Sequence, residues 1–205
     1  MMQRIARWLA PLLLCVSAAV SAQQGYTTLS TPQPTLNQGE VEVREFFSYA
    51  CPACAMFEPR LDAWMKQAPE QVRLVHVPVV FNEAWKPYAQ AYYAAEALGV
   101  LDRIHRPLVD AIHGDKRQFK SSKDLVGFFV ERGVPKEQAE AAFNSFRVDM
   151  QLRQGAQALR NYRIESTPTV VVAGKYVVTP RTAGSHEQMI SVIDRLVRQE
   201  IAAKK

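Results

Sequence analysis

Two cysteines separated by two residues, Cys51 and Cys54, are the pair in this sequence whose type and spacing point to chemistry. They lie in the stretch EFFSYACPACAMFEP, residues 45–59, after strand-like sequence and before helix-like sequence. A pair this close can be a structural disulfide, half of a metal site or a redox centre. In a redox centre, one sulfur attacks a substrate and the other resolves the mixed disulfide.

The first two alternatives receive little support from the rest of the chain. A permanent disulfide across two residues closes too short a loop to restrict the unfolded chain much. A zinc site needs about four ligands. Four histidines are available, and none has ligand-like spacing to a cysteine or to another histidine: His76, His105, His113 and His186. We therefore predict neither a metal nor a cofactor, and interpret the histidines as core-edge or surface residues.

The position of Cys51 favours redox chemistry. A cysteine between a strand and the start of a helix faces unpaired backbone amides and the positive end of the helix dipole, which stabilise a thiolate. Pro52 suits the first helical position because it has no N–H and its φ is already near the helical value. Cysteines in such settings have pKa values of roughly 3.5 to 7.5, against ~8.5 for a free thiol. We predict a nucleophilic Cys51 and, deeper in the helix, a resolving Cys54. Strong thiolate stabilisation would make an oxidant and modest stabilisation a reductant.

The N-terminus indicates export. Residues 1–22 have the layout of a secretory signal peptide, with Arg4 and Arg7, an apolar run that is too short to span a bilayer, and small residues ending at Ala22. Cleavage there removes Cys15 and leaves one cysteine pair. A chain with one pair is not a disulfide-rich scaffold, so it must depend on an ordinary hydrophobic core.

Composition excludes some classes of function. About 183 of the 205 residues remain after cleavage, enough for one large domain or one domain with an insertion. Loss of two arginines lowers the formal net charge from +5 to +3, and the remaining basic residues are interleaved with acidic ones. This pattern is that of a solvated surface, so we predict no nucleic-acid partner.

The hydrophobic pattern supplies the elements that must position the cysteines. Between two strand-like runs lies a helix without internal glycine, which predicts a parallel strand–helix–strand unit. A long helical block follows, then a hairpin and a last helix capped by Ser185. The predicted fold class is α/β, with strands at 41–47, 72–80, 169–172 and 176–178, and with helical sequence at 52–66, 85–162 and after 185.

A second motif, Thr167-Pro168, stands at the entry to the third of these strands. A proline before a central strand is tolerated where the backbone turns. A cis bond would let this loop lie against the Cys51 sulfur and would leave the Thr167 backbone free to pair with an extended peptide. A trans bond is the alternative. Beside a C-x-x-C motif in this element order, we predict the cis form.

Three stretches together resemble the DsbA family of bacterial periplasmic thiol:disulfide oxidoreductases, along essentially the whole exported chain. They are EFFSYACPACAMFEP, the helical block with ALGVLDRIHRPL and AFNSF, and STPTVVVAGKYVVTP. The resemblance implies a thioredoxin fold with an inserted helical domain. Residues 23–82 and 151–205 would form the thioredoxin-like domain and residues 83–150 the insertion. By position, the resemblance makes Cys51 the nucleophile, Cys54 the resolving cysteine and Pro168 the cis proline.

The resemblance also implies a function and partners. The exported chain would be a periplasmic monomer that passes its disulfide to newly exported, unfolded client proteins, and a quinone-linked inner-membrane partner of the DsbB type would recharge it. A periplasmic reductase and a non-catalytic folding helper that uses the same groove are the alternatives. A disulfide isomerase would bring a dimerisation region, for which fewer than twenty residues between Ala22 and Val41 leave no room.

One departure from the family pattern concerns the residue after Pro52. The family has histidine there, whereas this chain has Ala53. A histidine can add positive charge or a hydrogen bond beside the thiolate, and alanine can do neither. We therefore predict a weaker oxidant than a histidine-bearing relative.

Four further residues near the pair carry expectations. Glu45 is predicted to lie beneath the active site and to relay the proton of Cys54, the alternative being a surface or paired glutamate. Glu58 is expected to be a charge on the helix surface. Phe47 and Tyr49 could bind clients or pack in the core, and we favour packing.

Overall fold

A five-stranded mixed sheet forms the centre of the protein. The structure, a computed structural model, describes residues 24–36 and 39–204, so the predicted signal peptide at 1–22 lies outside the described residues. The spatial order of the strands is β1-β5-β4-β2-β3. Their bounds are β1 Thr27–Thr28, β2 Val41–Phe47, β3 Val72–Pro78, β4 Thr169–Val172 and β5 Tyr176–Val178.

Helices cover both faces of this sheet and form the block between β3 and β4. Their bounds are α1 Pro52–Met65, α2 Lys86–Ala97, α3 Leu101–Val109, α4 Ser122–Glu131, α5 Lys136–Phe143, α6 Phe146–Asn161, α7 Pro180–Ala183 and α8 His186–Ala202. A 3-10 turn at Glu83–Trp85 precedes α2, and a single π-helical turn at Asp110–Gly114 continues α3. Among the described residues, no helix is long and apolar enough to cross a membrane.

Strand β2 holds the site because it is central and ends where α1 begins. It pairs in parallel with β3 and antiparallel with β4, so Glu45 lies beside His76 on one side and Val170 on the other. Its β-branched and aromatic side chains are buried along nearly its whole length, as expected for a strand covered on both faces. The strand–helix–strand prediction is confirmed. Strand β3 stops at Pro78 instead of residue 80, because its partner β2 ends at Phe47, opposite Pro78.

Two main apolar cores lie on either side of α1. One fills the space between the sheet, α1 and α8, and includes Phe57, Leu61 and Ile193, all fully buried. The other fills the helical block and reaches the active-site turn. The predicted helical block is confirmed. The predicted boundary between residues 150 and 151 falls inside α6, and the division into domains stays a prediction.

Candidate active site

The turn between β2 and α1 presents Cys51 as the N-cap of the helix. Its backbone is extended, with φ −94° and ψ 110°, and its Sγ accepts a hydrogen bond from the Cys54 amide at 3.3 Å. Pro52 occupies the first helical position, where its missing N–H leaves nothing unsatisfied. The predicted setting of unpaired amides around the sulfur is confirmed.

A loop from the other end of the chain closes the site over Cys51. The Thr167-Pro168 peptide bond is cis, as predicted. The Cys51 Sγ lies 3.5 Å from the Thr167 carbonyl oxygen, within reach of an S–H donor. The structure therefore brings together two motifs that are 116 residues apart in the sequence.

The two sulfurs have opposite acid–base character. The pKa of Cys51 is lowered from 9.0 to about 6, chiefly by a hydrogen bond from the Cys54 side chain; burial opposes this, while Thr167 and the amides of Cys54 and Ala53 reinforce it. Burial raises the pKa of Cys54 far above that of a free thiol, and the neighbouring Cys51 and the negative charge of Glu45 raise it further. Both cysteines are free thiols here, with 7% of Cys51 and 4% of Cys54 exposed. The outer thiol is thus the one that ionises near neutral pH.

Glu45 lies beneath this pair, as its position on the strand predicts. It is 2% exposed, and its Oε2 is 2.9 Å from the Nδ1 atom of His76 on the adjacent strand. Burial alone would lower the pKa of His76, but Glu45, together with Glu58 and Asp62, more than offsets it and the pKa is raised. Glu45 is therefore both a paired glutamate and a group beneath the active site, so the two descriptions are compatible.

Glu58 corrects one expectation, because it is buried instead of being a helix-surface charge. It is 7% exposed, and its Oε1 lies 3.1 Å from the Nε2 atom of His105 in α3. Cys54 and Glu58 are four residues apart, so they share the inner face of α1. Together with Glu45 they line a small cavity behind the active site.

The remaining predicted residues also lie around the turn. Ala53 packs against the core of the helical block, and its amide supports the Cys51 thiolate. Phe47 and Tyr49 are 4% and 1% exposed, so the packing interpretation is confirmed. Sequence reasoning missed the place of His105 and His113 at the site, because the sequence around them, LDRIHRPLVDAIHGD, contains many other charged residues and gives no signal that singles them out. In the described part of the chain, no group of three or more His, Cys, Asp or Glu side chains could hold a metal ion.

The fold and the site together define a class. A C-x-x-C pair capping the helix of a parallel crossover unit, faced by a cis proline that precedes the next strand, is the arrangement of a thioredoxin-fold protein. Comparison with known proteins narrows this class. Residues 42–189 match the family described as DSBA-like thioredoxin domain.

Curated relatives cover most of the chain. The thiol:disulfide interchange protein DsbA of Burkholderia cepacia is 36% identical over 183 residues, which cover 89% of this chain and 86% of the relative. The protein of the same name from Pseudomonas aeruginosa PAO1 is 32% identical over 185 residues, which cover 90% and 88%.

Solved structures agree with the sequence relatives. The crystal structure of Pseudomonas aeruginosa DsbA superposes with a TM-score of 0.82 at 32% identity, covering 88% of this chain and 95% of that one. The oxidoreductase DsbA from Xylella fastidiosa gives a TM-score of 0.81 at 34% identity, covering 87% and 96%. The chain belongs to the DsbA-like thioredoxin-domain family, and the resemblance and fold class inferred from its sequence are confirmed.

Proposed function

We propose that the exported chain is a periplasmic thiol:disulfide oxidoreductase that donates its Cys51–Cys54 disulfide to unfolded client proteins. The observation that carries the proposal is the contrast between the two sulfurs. The Cys51 sulfur accepts a hydrogen bond from the Cys54 amide at the start of α1 and has a pKa of about 6. The pKa of Cys54, in contrast, is raised by burial. A sulfur that is stable as a thiolate is a good leaving group and a poor disulfide partner, so the oxidised form gives its disulfide away.

The exchange balances in two steps. A client thiolate attacks Cys51 Sγ of the disulfide, the S–S bond to Cys54 breaks, and Cys54 leaves and takes up a proton. A second client thiolate then attacks the client sulfur of this mixed disulfide and expels Cys51 as a thiolate. The client has lost two electrons and two thiol protons, and the enzyme has gained the electrons.

The cis-proline loop gives the client a place to lie. In this proposal the Thr167 backbone pairs with an extended client segment and Pro168 holds that backbone against the Cys51 sulfur. Pro52 fixes the turn from the other side. Glu45, beside Cys54 and linked to His76, would deliver the proton that the leaving Cys54 thiolate needs.

Recharging completes the cycle. The reduced pair would return its electrons to a quinone-linked inner-membrane partner of the DsbB type, by the same exchange run in reverse. The enzyme would act as a monomer, and its own residues supply the chemistry.

Two measurements test this function. The first is the equilibrium of the cysteine pair with glutathione, where we expect a strongly oxidising pair; a position close to that of cytosolic reductants would identify a reductase instead. The second is refolding of a reduced, disulfide-containing client, which Cys51→Ser should abolish. A Cys51→Ser variant that retains full activity would identify a folding helper.

A further inference from the structure

Tyr49 connects the active-site turn to the helical block at two points. Its carbonyl oxygen accepts a hydrogen bond from His113 Nε2 at 2.8 Å, and its hydroxyl lies 2.7 Å from His105 Nδ1. Both histidines belong to the segment that runs from α3 into the π-helical turn. Tyr49 itself is 1% exposed and stands two residues before Cys51. One buried residue is therefore held by the helical block through both its backbone carbonyl and its side-chain hydroxyl.

The hydrogen-bond directions are fixed by the chemistry of the groups. A carbonyl only accepts, so Nε2 of His113 carries the proton. His105 Nε2 faces the Glu58 carboxylate, which in its ionised form only accepts. The tautomer of His105 that donates to Glu58 from Nε2 accepts the Tyr49 hydroxyl at Nδ1. Burial and the nearby Tyr92 and Glu58 raise the pKa of Tyr49, so its hydroxyl keeps the proton that this bond requires.

The π-helical turn explains how two histidines eight residues apart reach the same tyrosine. In an ideal α-helix, positions eight apart differ by about 80° around the axis. At Asp110–Gly114 the helix widens, and the Asp115 amide donates to the Asp110 carbonyl five residues back. Each residue of such a turn rotates the chain around the helix axis by a smaller angle than in an α-helix. His113 therefore lies closer to the side of the helix that carries His105. Single π turns recur at functional sites.

Two hydrogen bonds on either side of Tyr49 in the sequence close the turn that leads to the nucleophile, because they join Ser48 to Ala50 and Cys51. The Ala50 amide donates to Ser48 Oγ at 3.1 Å, and the Cys51 amide donates to the Ser48 carbonyl at 3.0 Å. This tight turn sets where the Cys51 sulfur points. The sulfur needs that position to accept the hydrogen bond from the Cys54 amide and to lie near the Thr167 carbonyl oxygen.

We propose that His113 and His105 are positioning residues for the exchange reaction: by holding Tyr49 at two points, the helical block fixes the turn that presents Cys51. The inference rests on the proposed function and adds to it. Without these bonds the turn has more freedom, the sulfur loses its alignment with the donors at the start of α1, and the thiolate becomes less favoured. A less stable thiolate makes the oxidised protein a weaker disulfide donor.

The test compares two substitutions at one position. His113→Phe keeps a ring but removes the donor, whereas the side-chain amide of His113→Gln can place an N–H near the former Nε2. We expect His113→Phe to shift the glutathione equilibrium toward the oxidised enzyme by about fivefold, the equivalent of one ordinary hydrogen bond. The Cys51 thiolate titration should move to higher pH. His113→Gln should restore both quantities, and Tyr49→Phe should produce a change in the same direction as His113→Phe.

A matched control separates positioning from stability. Phe143, in α5, packs edge to face against Phe129 in the helical block, with ring centroids 5.2 Å apart. Phe143→Leu should lower the thermal midpoint while leaving the equilibrium and the titration at wild-type values. The proposal is overturned if folded His113→Phe has a wild-type equilibrium and titration, or if Phe143→Leu shifts them equally. A wild-type protein without exchange activity would instead overturn the proposed function.

Discussion

The two sides of the first turn of α1 differ in the charge of the groups that surround each sulfur. On the side of Cys51, the groups that favour the thiolate are neutral donors, namely the Cys54 thiol, the Thr167 side chain and backbone amides. On the side of Cys54, two buried carboxylates lie close by, Glu45 and Glu58, each paired with a histidine. One helix thus separates a region that favours a negative sulfur from a region that opposes one.

This difference shows that no cation is needed beside the nucleophile. Ala53 provides neither charge nor a side-chain hydrogen bond, yet the pKa of Cys51 is still lowered to about 6. The Cys54 thiol, followed by the Thr167 side chain and the amides of Cys54 and Ala53, produces that shift. Burial keeps Cys54 protonated, and Cys51 and the negative charge of Glu45 reinforce this, so the two sulfurs do not compete for the same role. Each side can be altered separately.

The largest effect should come from removing the sulfur on the charged side. Cys54→Ser leaves Cys51 able to attack but leaves no internal thiol to resolve the product. We expect mixed disulfides with clients to accumulate and catalytic turnover to stop. Non-reducing electrophoresis of the variant after incubation with a client bearing one disulfide measures this directly. Failure to trap any adduct, with Cys51 intact, would contradict the assigned roles.

Removing charge beneath Cys54 should have the next largest effect. Glu45→Gln abolishes a nearby negative charge, so the pKa of Cys54 should fall. If Glu45 also relays the proton, exchange should nevertheless slow by about tenfold or more, since positioned proton transfer contributes at least that much. Stopped-flow fluorescence follows the rate.

Glu200→Gln serves as the matched control for Glu45→Gln. Glu200 is also a buried carboxylate, but it is paired with Lys175 on the far side of the molecule. This control should exchange at the wild-type rate. An unchanged or faster rate in Glu45→Gln would show that Glu45 does not relay protons.

Adding charge to the neutral side should sharpen the contrast. In Ala53→His, a protonated imidazole beside the thiolate should lower the pKa of Cys51 by about one unit. The glutathione equilibrium should then move about tenfold toward the reduced enzyme. Thiolate absorbance in the ultraviolet reports the titration, and Ala53→Asn controls for size without charge. An identical pKa in the wild type and in Ala53→His would refute the argument about Ala53.

The pH dependence of stability should show the same contrast without any substitution. The pKa of Cys51 is about 6 in the folded reduced protein and 9.0 for an unperturbed thiol. A lowered pKa stabilises the folded state above the unfolded value, and this stabilisation is lost as pH falls through the folded value. The oxidised protein has no such thiol.

Between about pH 6 and about pH 9, the free energy of unfolding of the reduced protein should therefore rise relative to that of the oxidised protein. Urea unfolding of both forms at several pH values gives this difference. A difference that stays constant over this window would contradict the lowered pKa of Cys51.

Much of the site was accessible from sequence because its signals are local. The strand β2, the helix cap at Cys51 and Pro52 at the first helical position all depend on residues within one short stretch. The Thr167-Pro168 bond could be predicted as cis only because the element order placed it opposite this stretch. Local propensity and pattern carry these conclusions.

What escaped prediction depends on packing between distant parts of the chain. The sequence around Glu58 resembles any amphipathic helix, and its burial follows from where α3 places His105. The widening of the helix at Asp110–Gly114 leaves no local signature that pattern reasoning can detect. The contact of His113 with the Tyr49 carbonyl joins residues 64 apart. Such contacts require the tertiary arrangement, in which the helical block lies against the turn.

The outer strands of the sheet have a consequence for a protein that meets unfolded chains. Strand β1 contains two residues, and β3, at the opposite edge, ends at Pro78 and carries an exposed Arg73. Long, flat, uninterrupted edges recruit extended segments from other molecules into aggregates, whereas short strands, charges and prolines discourage this. A molecule with these edges can work among concentrated, aggregation-prone polypeptides without being drawn into their deposits.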